Sequence, residues 1–210
     1  MDRKLIDLEV NEYLDVLKSD APAPGGGSVS ALAGAQGAGL LLMVIGLTTG
    51  REKFADYQEA LDSAKPDLEE AYTELTKGVD KDTEGFNQVM AAFKMPKDTD
   101  EQKAARRQAI QDGTIASTET PLRNMELAVQ ALEAADRFSG KFNPNCLSDF
   151  GVGVLNLKLC VQGAGMNVKI NVPGIKDEAA AKAYQERANQ LEARGIEIAD
   201  RLYKVTMEQF

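Results

Sequence analysis

An all-α, multihelical bundle with two glycine-rich helices buried at its centre is the fold this sequence predicts. Three observations predict it. Along most of the 210 residues, apolar side chains recur at intervals of three and four, the period of a helix, and alternating strand patterns are scarce. Hydrophobic residues make up 43% and charged residues 27%, which supports one self-sufficient core and a single domain over residues 1–210. Two stretches, residues 29–49 and 151–165, are rich in small residues and poor in charge. They suit the interior, where small side chains let neighbouring backbones approach closely.

The elements follow in order. Residues 5–18 read as a first helix, with Leu5, Leu8, Tyr13, Leu14 and Leu17 toward one side. Residues 19–27 hold two prolines and three consecutive glycines, which no helix continues through. Ser28 reads as the N-cap of a second helix running to about Thr48. From Val29 to Thr49 that helix carries no charge, and Gln36 is its most polar side chain. The length would suit a membrane span. The glycine and alanine content and the polar remainder of the chain favour instead a helix buried on all sides. Each glycine costs about 1 kcal/mol of helix propensity, which dense packing must offset. Residues 51–94 are helical, with a kink or restart at Pro66. Met95 to Asp98 is a break. A helix from Asp100 ends before Pro121, and another covers 121–138 with Leu122, Met125, Val129 and Leu132 inward. After a loop from Ser139 to Cys146, Ser148 or Asp149 caps the second glycine-rich helix, which reaches about Asn171. Asp177 opens a long amphipathic C-terminal helix.

Composition excludes several kinds of function. Lys and Arg number 24 against 33 Asp and Glu, a formal net charge of −9. Nucleic acids and anionic membrane surfaces both call for a basic footprint, so neither is an expected partner. The chain has no histidine, which removes Ser-His-Asp and Cys-His mechanisms and the usual zinc constellations; no metal is expected. Acid–base work falls to Asp, Glu, Lys, Tyr or Cys. Cys146 and Cys160 read as small core residues in a reducing compartment. The N-terminus has no basic-then-apolar signal, so a cytoplasmic location is expected.

One carboxylate stands out. An apolar seam runs through Leu68, Tyr72, Leu75, Val79, Phe86, Val89 and Phe93, and the position it skips is Asp82. A helix with that seam facing inward points Asp82 inward too. Asp80 and Glu84 fall on the outward side and read as solvated charges. A core-facing carboxylate is either paired with Lys or Arg or functional, because burying it alone raises its pKa at considerable cost. On pattern alone the two readings weigh the same.

Other candidates are weaker. Gly25, Gly26, Gly27 and Ser28 precede a helix, where free N–H groups and the dipole suit an anion. They are neither a P-loop nor a dinucleotide fingerprint, lacking the Gly-Lys-Ser/Thr of one and the preceding strand of the other. On these residues alone, a flexible turn into a close-packed helix is the favoured explanation. Asn143, Asn145, Ser148 and Asp149 cluster before the second glycine-rich helix, and such residues often serve only as caps. Asn167 and Asn171 lie four apart on one face of that helix. Lys53, Lys141 and Lys169 are possible anion contacts.

Three segments together resemble a known family. They are Ala-Pro-Ala-Pro-Gly-Gly-Gly-Ser-Val (21–29) with Gly-Ala-Gln-Gly-Ala (34–38), Asp-Lys-Asp-Thr-Glu-Gly-Phe (80–86) with Met-Pro-Lys (95–97), and Asn-Pro-Asn-Cys-Leu-Ser-Asp-Phe-Gly-Val (143–152) with Gly-Ala-Gly-Met-Asn-Val-Lys-Ile-Asn (163–171). In this order and over nearly the whole chain they resemble the formimidoyltetrahydrofolate cyclodeaminase and methenyltetrahydrofolate cyclohydrolase family. Two departures are Phe142, where the family usually has Gly, and Phe150, where it has a small residue. The resemblance implies an all-helical enzyme, commonly dimeric, acting on a tetrahydrofolate derivative with no further cofactor. It implies that Asp82 is the acid–base group. It also implies that Gly25, Gly26, Gly27, Ser28, Asn143, Asn145, Ser148, Asp149, Asn167 and Asn171 line the folate site, with Lys53 or Lys141 meeting an anionic, possibly polyglutamylated tail. Cyclodeamination is the first expectation and cyclohydrolysis the second. A helical scaffold without catalysis is a third reading, and a small membrane protein built on residues 29–49 a fourth.

Overall fold

The computed structural model describes residues 3–210. Six helices carry the fold: α1 (Val10–Leu17), α2 (Gly26–Thr48), α3 (Gln58–Phe93), α4 (Asp100–Phe138), α5 (Leu147–Asn171) and α6 (Glu178–Met207), with no strand among the described residues. The glycine-rich pair α2 and α5 run antiparallel at the centre. On one side α3 covers α2, while α4 and α6 cover α5. The all-α expectation holds.

Small residues set the α2–α5 distance. A Cβ on Gly37 would lie 2.8 Å from the Gly153 carbonyl oxygen and 2.9 Å from Leu157 Cγ. The backbones therefore meet closely, and the dispersion gained offsets the poor propensity of glycine. Gly37→Ala should cost about 1–2 kcal/mol net, since overpacking outweighs the propensity gain. Urea unfolding of the two proteins reads this directly, and a more stable variant would contradict the close approach.

The two helices are not buried on all sides. Gln36, Met43 and Leu47 of α2 are exposed, as are Val152, Leu155, Leu159, Met166 and Ile170 of α5. The covering helices stand on one side only. By length and composition α2 could cross a membrane, yet more than half of its most apolar stretch is buried in the bundle.

Several boundaries differ from expectation. The first helix splits into a 3-10 turn (Leu5–Asp7) and α1. Glu9 and Glu12 form a reciprocal capping box that starts α1 afresh. Asp80 is not a solvated charge: its carboxylate accepts the N–H groups of Leu5 at 2.6 Å and Ile6 at 3.4 Å, fastening that turn to α3. Helix α2 starts at Gly26 with Gly25 as N-cap, so Ser28 sits inside the first turn. Helix α5 starts at Leu147 after a Pro144–Cys146 turn, so Ser148 and Asp149 are first-turn residues and not caps.

Neither proline breaks its helix. Pro66 sits within α3 and Pro121 within α4. Pro121 has no N–H to give the Ser117 carbonyl one turn earlier. That carbonyl instead accepts Nδ2 of Asn171 at 2.8 Å, so a contact from α5 supplies what the helix lacks. Phe142 and Phe150 join Phe138 in the core, Phe142 and Phe150 stacked with centroids 4.8 Å apart. Half-exposed ion pairs lock the helix registers: Glu70 with Arg123 and Asp67 with Arg137 across α3–α4, Glu126 with Arg187 and Asp136 with Arg201 across α4–α6. Each contributes little to stability alone.

Candidate active site

A cleft of about 400 Å³ opens where the N-terminus of α2, the second half of α3, the middle of α4 and the C-terminal end of α5 converge. Its polar lining is Asp82, Thr114, Ser117, Asn167, Asn171 and the backbone of Gly25 to Gly27. Its apolar wall is Pro22, Ala23, Phe86, Val89, Met90, Phe93 and Ile170. Asp82 is the single ionisable group in this lining.

The seam of α3 explains how Asp82 arrives there. Leu68, Leu75 and Val79 are fully buried against the core. The next seam position is Asp82, and beyond it Phe86 and Val89 are only half-buried. The seam leaves the core at Asp82 and continues as the cleft wall. Tyr72 and Phe93, also on the seam by spacing, are exposed.

Asp82 meets the start of α2. The Ser28 N–H donates to the Asp82 carboxylate, and Ser28 Oγ lies 3.5 Å from Asp82 Oδ2. The same hydroxyl donates to the Val79 carbonyl at 2.7 Å and sits 3.3 Å from Thr83 Oγ1. Ser28 is fully buried, so it holds Asp82 and does not line the cleft. Gly27 is required by close approach, because a Cβ there would fall within the Asp82 carboxylate group. No Lys or Arg pairs with Asp82 among the described residues; the Ser28 N–H in the first turn of α2 takes that place.

Burial pushes the Asp82 carboxyl above the ordinary aspartate range, and the two Ser28 hydrogen bonds pull it part of the way back. Tyr13 of α1 is buried nearby with a hydroxyl that has no hydrogen-bond partner among the described residues. Its pKa is raised by burial first and by the Asp82 charge second.

On α5, Asn167 and Asn171 line the cleft together, as their spacing predicts. Asn167 Nδ2 is held by the Gly163 carbonyl at 2.8 Å. The remaining expected residues lie elsewhere. Asn143 donates its N–H to Thr48 Oγ1 at 3.0 Å and Nδ2 to the Leu47 carbonyl at 3.4 Å, which puts it at the C-terminal end of α2. From Gly27 to Thr48 the helix rises about 32 Å. Asn145, Ser148 and Asp149 follow Asn143 at that far end. Lys53 lies just past the same end of α2, with Nζ 4.6 Å from the centroid of the Phe54 ring, and Lys141 precedes Asn143. Within one chain, residues 143–149 of the third motif are thus separated from Asp82, while its later part, with Asn167 and Asn171, lines the cleft. Lys169 is tied to Glu192. Phe142 and Phe150 fill core space and do not touch the cleft.

Sequence reasoning missed Thr114 and Ser117. Their signal was only two small polar residues three apart beside Gly113 on α4. Ser117 Oγ is buried without a partner among the described residues. Among those residues no cluster of three His, Cys, Asp or Glu side chains could hold a metal ion.

The sequence and the fold have known relatives. Residues 9–190 match the family described as formiminotransferase-cyclodeaminase. A methenyltetrahydrofolate cyclohydrolase of Methylorubrum extorquens is 35% identical over 195 residues, covering 93% of this chain and 94% of that protein. The formimidoyltransferase-cyclodeaminase of Rattus norvegicus is 32% identical over 190 residues, 90% of this chain but 35% of that protein. The chain therefore spans about a third of that longer relative. A crystal structure of a formiminotetrahydrofolate cyclodeaminase from Thermotoga maritima superposes with a TM-score of 0.84 over 96% of this chain and 97% of that one, at 24% identity, which speaks to the fold. With six helices in the same arrangement and matched residues reaching from the start of α1 into α6, this chain belongs to the formiminotransferase-cyclodeaminase family.

Proposed function

We propose that the chain is a folate one-carbon enzyme that closes 5-formimidoyltetrahydrofolate to 5,10-methenyltetrahydrofolate with release of ammonia. The observation that carries this reading is a lone carboxylate, Asp82, held by the first turn of α2 in the lining of a largely apolar cleft. In the amidinium form of the substrate, N10 attacks the formimidoyl carbon. N10 must lose a proton and the departing nitrogen must gain one. A single carboxylate accepts the first and returns it to the second, so ammonia leaves and the cation passes to the methenyl bridge. Before that, the anion pairs with the amidinium. Phe86, Val89, Met90 and Ile170 offer flat and flexible apolar walls to the pterin and benzoyl rings. Asn167, Asn171 and Ser117 offer polar contacts at its edge.

A second reading is hydrolysis of 5,10-methenyltetrahydrofolate to the 10-formyl compound, with Asp82 as base for water. The end-to-end likeness to the Methylorubrum extorquens protein favours it. Neither scheme uses a cofactor beyond the folate. A cytoplasmic setting is supported by two free, buried cysteines. The working form we propose is a homodimer.

Absorbance at the methenyltetrahydrofolate band tests both readings. Growth of the band from 5-formimidoyltetrahydrofolate with matching ammonia release is the expected result. Faster loss of added methenyltetrahydrofolate, without formimidoyl turnover, would select the hydrolase. Rates equal to the blank from folded protein would reject both and leave the scaffold.

A further inference from the structure

We propose that Ser117 and Asn171, together with Asp82, read one edge of the pterin ring, from N3 through O4 to N5. Asn171 Oδ1 accepts from N3–H, Ser117 Oγ donates to O4, and Asp82 takes the N–H donors carried at N5. This deepens the reading of the Asp82 cleft as the folate site, on which it rests, by naming the edge that enters and the groups that meet it.

Ser117 is the exception on its own helix. Thr114, Thr118 and Thr120 of α4 each donate their hydroxyl to the carbonyl four residues earlier. Ser117 does not, and its Oγ is buried without a partner among the described residues. In the free protein that hydroxyl has lost water without gaining a bond, which native structures rarely tolerate. The residue itself is half-buried and lines the cleft. With no hydrogen bond to break, one χ1 step turns the hydroxyl to a ligand.

Its two neighbours are already oriented. Pro121 leaves the Ser117 carbonyl without its helical N–H, and Asn171 Nδ2 of α5 donates to that carbonyl at 2.8 Å. A carbonyl partner admits only the N–H end of the amide. Oδ1 is therefore the end left for a ligand, and it accepts nothing among the described residues. On its other side Ser117 packs on Gly85 of α3, where a Cβ would lie 3.2 Å from Ser117 Oγ. Gly85 follows Asp82 by three residues, about 4.5 Å along the same helix face. Ser117 thus stands between Asp82 and Asn171. The row across three helices runs acceptor, donor, acceptor.

A 4-oxo tetrahydropterin carries the complement. N3–H donates, O4 accepts, and N5, beside O4 across the ring fusion, bears the amidinium donors. The opposite edge, 2-amino, N1 and N8–H, has the same donor–acceptor–donor order. Seated that way, however, the ring would hold N5 away from Asp82, where no proton could be exchanged with the reacting group.

Calorimetric binding tests this without turnover. Tetrahydrofolate and 4-amino-4-deoxytetrahydrofolate differ on the N3–O4 edge alone: the amino group donates where O4 accepted, and N3 accepts where it donated. The wild type should bind tetrahydrofolate at least about tenfold more tightly, because a site built for one polarity rejects its inverse. Ser117→Ala should weaken tetrahydrofolate about tenfold and the 4-amino compound less than about twofold. Its Tm should equal or exceed that of the wild type, since the hydroxyl removed has no partner in the free protein. Should that variant not fold, Ser117→Cys, with its weak donor, reads the same ratio. Equal losses for both ligands, or no loss for either, would overturn the contact to O4. A wild type that binds both ligands alike would put the opposite edge on the row and overturn the orientation. A wild-type chain that binds neither would reject the folate reading itself, which the other outcomes leave standing.

Discussion

Asp82→Asn should lower turnover by roughly 10²–10⁴-fold, the range lost when a positioned acid–base group is removed. The amide keeps the shape of the carboxyl and can still accept from the Ser28 N–H, so the local geometry survives while the proton carrier is gone. The loss should fall on kcat more than on KM, since the proton transfers belong to the transition state. Stability should move the other way. Because the folded-state pKa of Asp82 is raised, its favourable contribution is present below the ordinary aspartate value of 3.8 and is lost as pH rises through the folded value. At neutral pH the ionised group therefore works against folding. Thermal unfolding of Asp82→Asn should give a Tm equal to or above the wild type at pH 7, with the gap closing in acid. A lower Tm at pH 7 would show that the carboxylate is a structural partner instead.

Gly27→Ala should be nearly as damaging to turnover, for a purely steric reason. The new methyl would occupy the position of the Asp82 carboxyl. The first turn of α2 also packs Ser28 against Val79 and Thr83, so the helix start cannot simply swing away. Asp82 must rotate out of its place. A displacement of about 1 Å at a reacting group can cost on the order of 10² in rate. Circular dichroism should show unchanged helix content, since alanine is the better helix former. Wild-type turnover by Gly27→Ala would mean that the Asp82 carboxylate need not touch the first turn of α2.

Much of this site was legible because helices write their faces into sequence. The seam through Leu68, Leu75 and Val79 fixes the direction of Asp82, and the four-residue step from Asn167 to Asn171 puts both on one face. The long reach of the bundle was not legible. Three motifs in chain order say nothing about which end of a helix about 32 Å long each occupies. Asn143 therefore read as a neighbour of Gly25 when it caps the opposite end. Scarcity of charge in α2 and α5 signalled apolar surroundings, but a buried face and an exposed apolar face look alike on that measure. Pro121 read as a break because local rules cannot see Asn171, which supplies the missing donor from another helix. Ser117 and Thr114 carry no periodic signature, and only the crossing of α3, α4 and α5 makes them part of the cleft.

The central claim is that Asp82 is a desolvated carboxyl lining a folate-binding cleft. Titration of aspartate-labelled protein by ¹³C NMR, with Asp82→Asn to assign the resonance, tests it most directly. The Asp82 signal should titrate above the ordinary value of 3.8 in the free protein and shift when a tetrahydrofolate is added. A resonance that titrates at or below 3.8 and ignores the folate would contradict both the buried carboxyl and its place in the site.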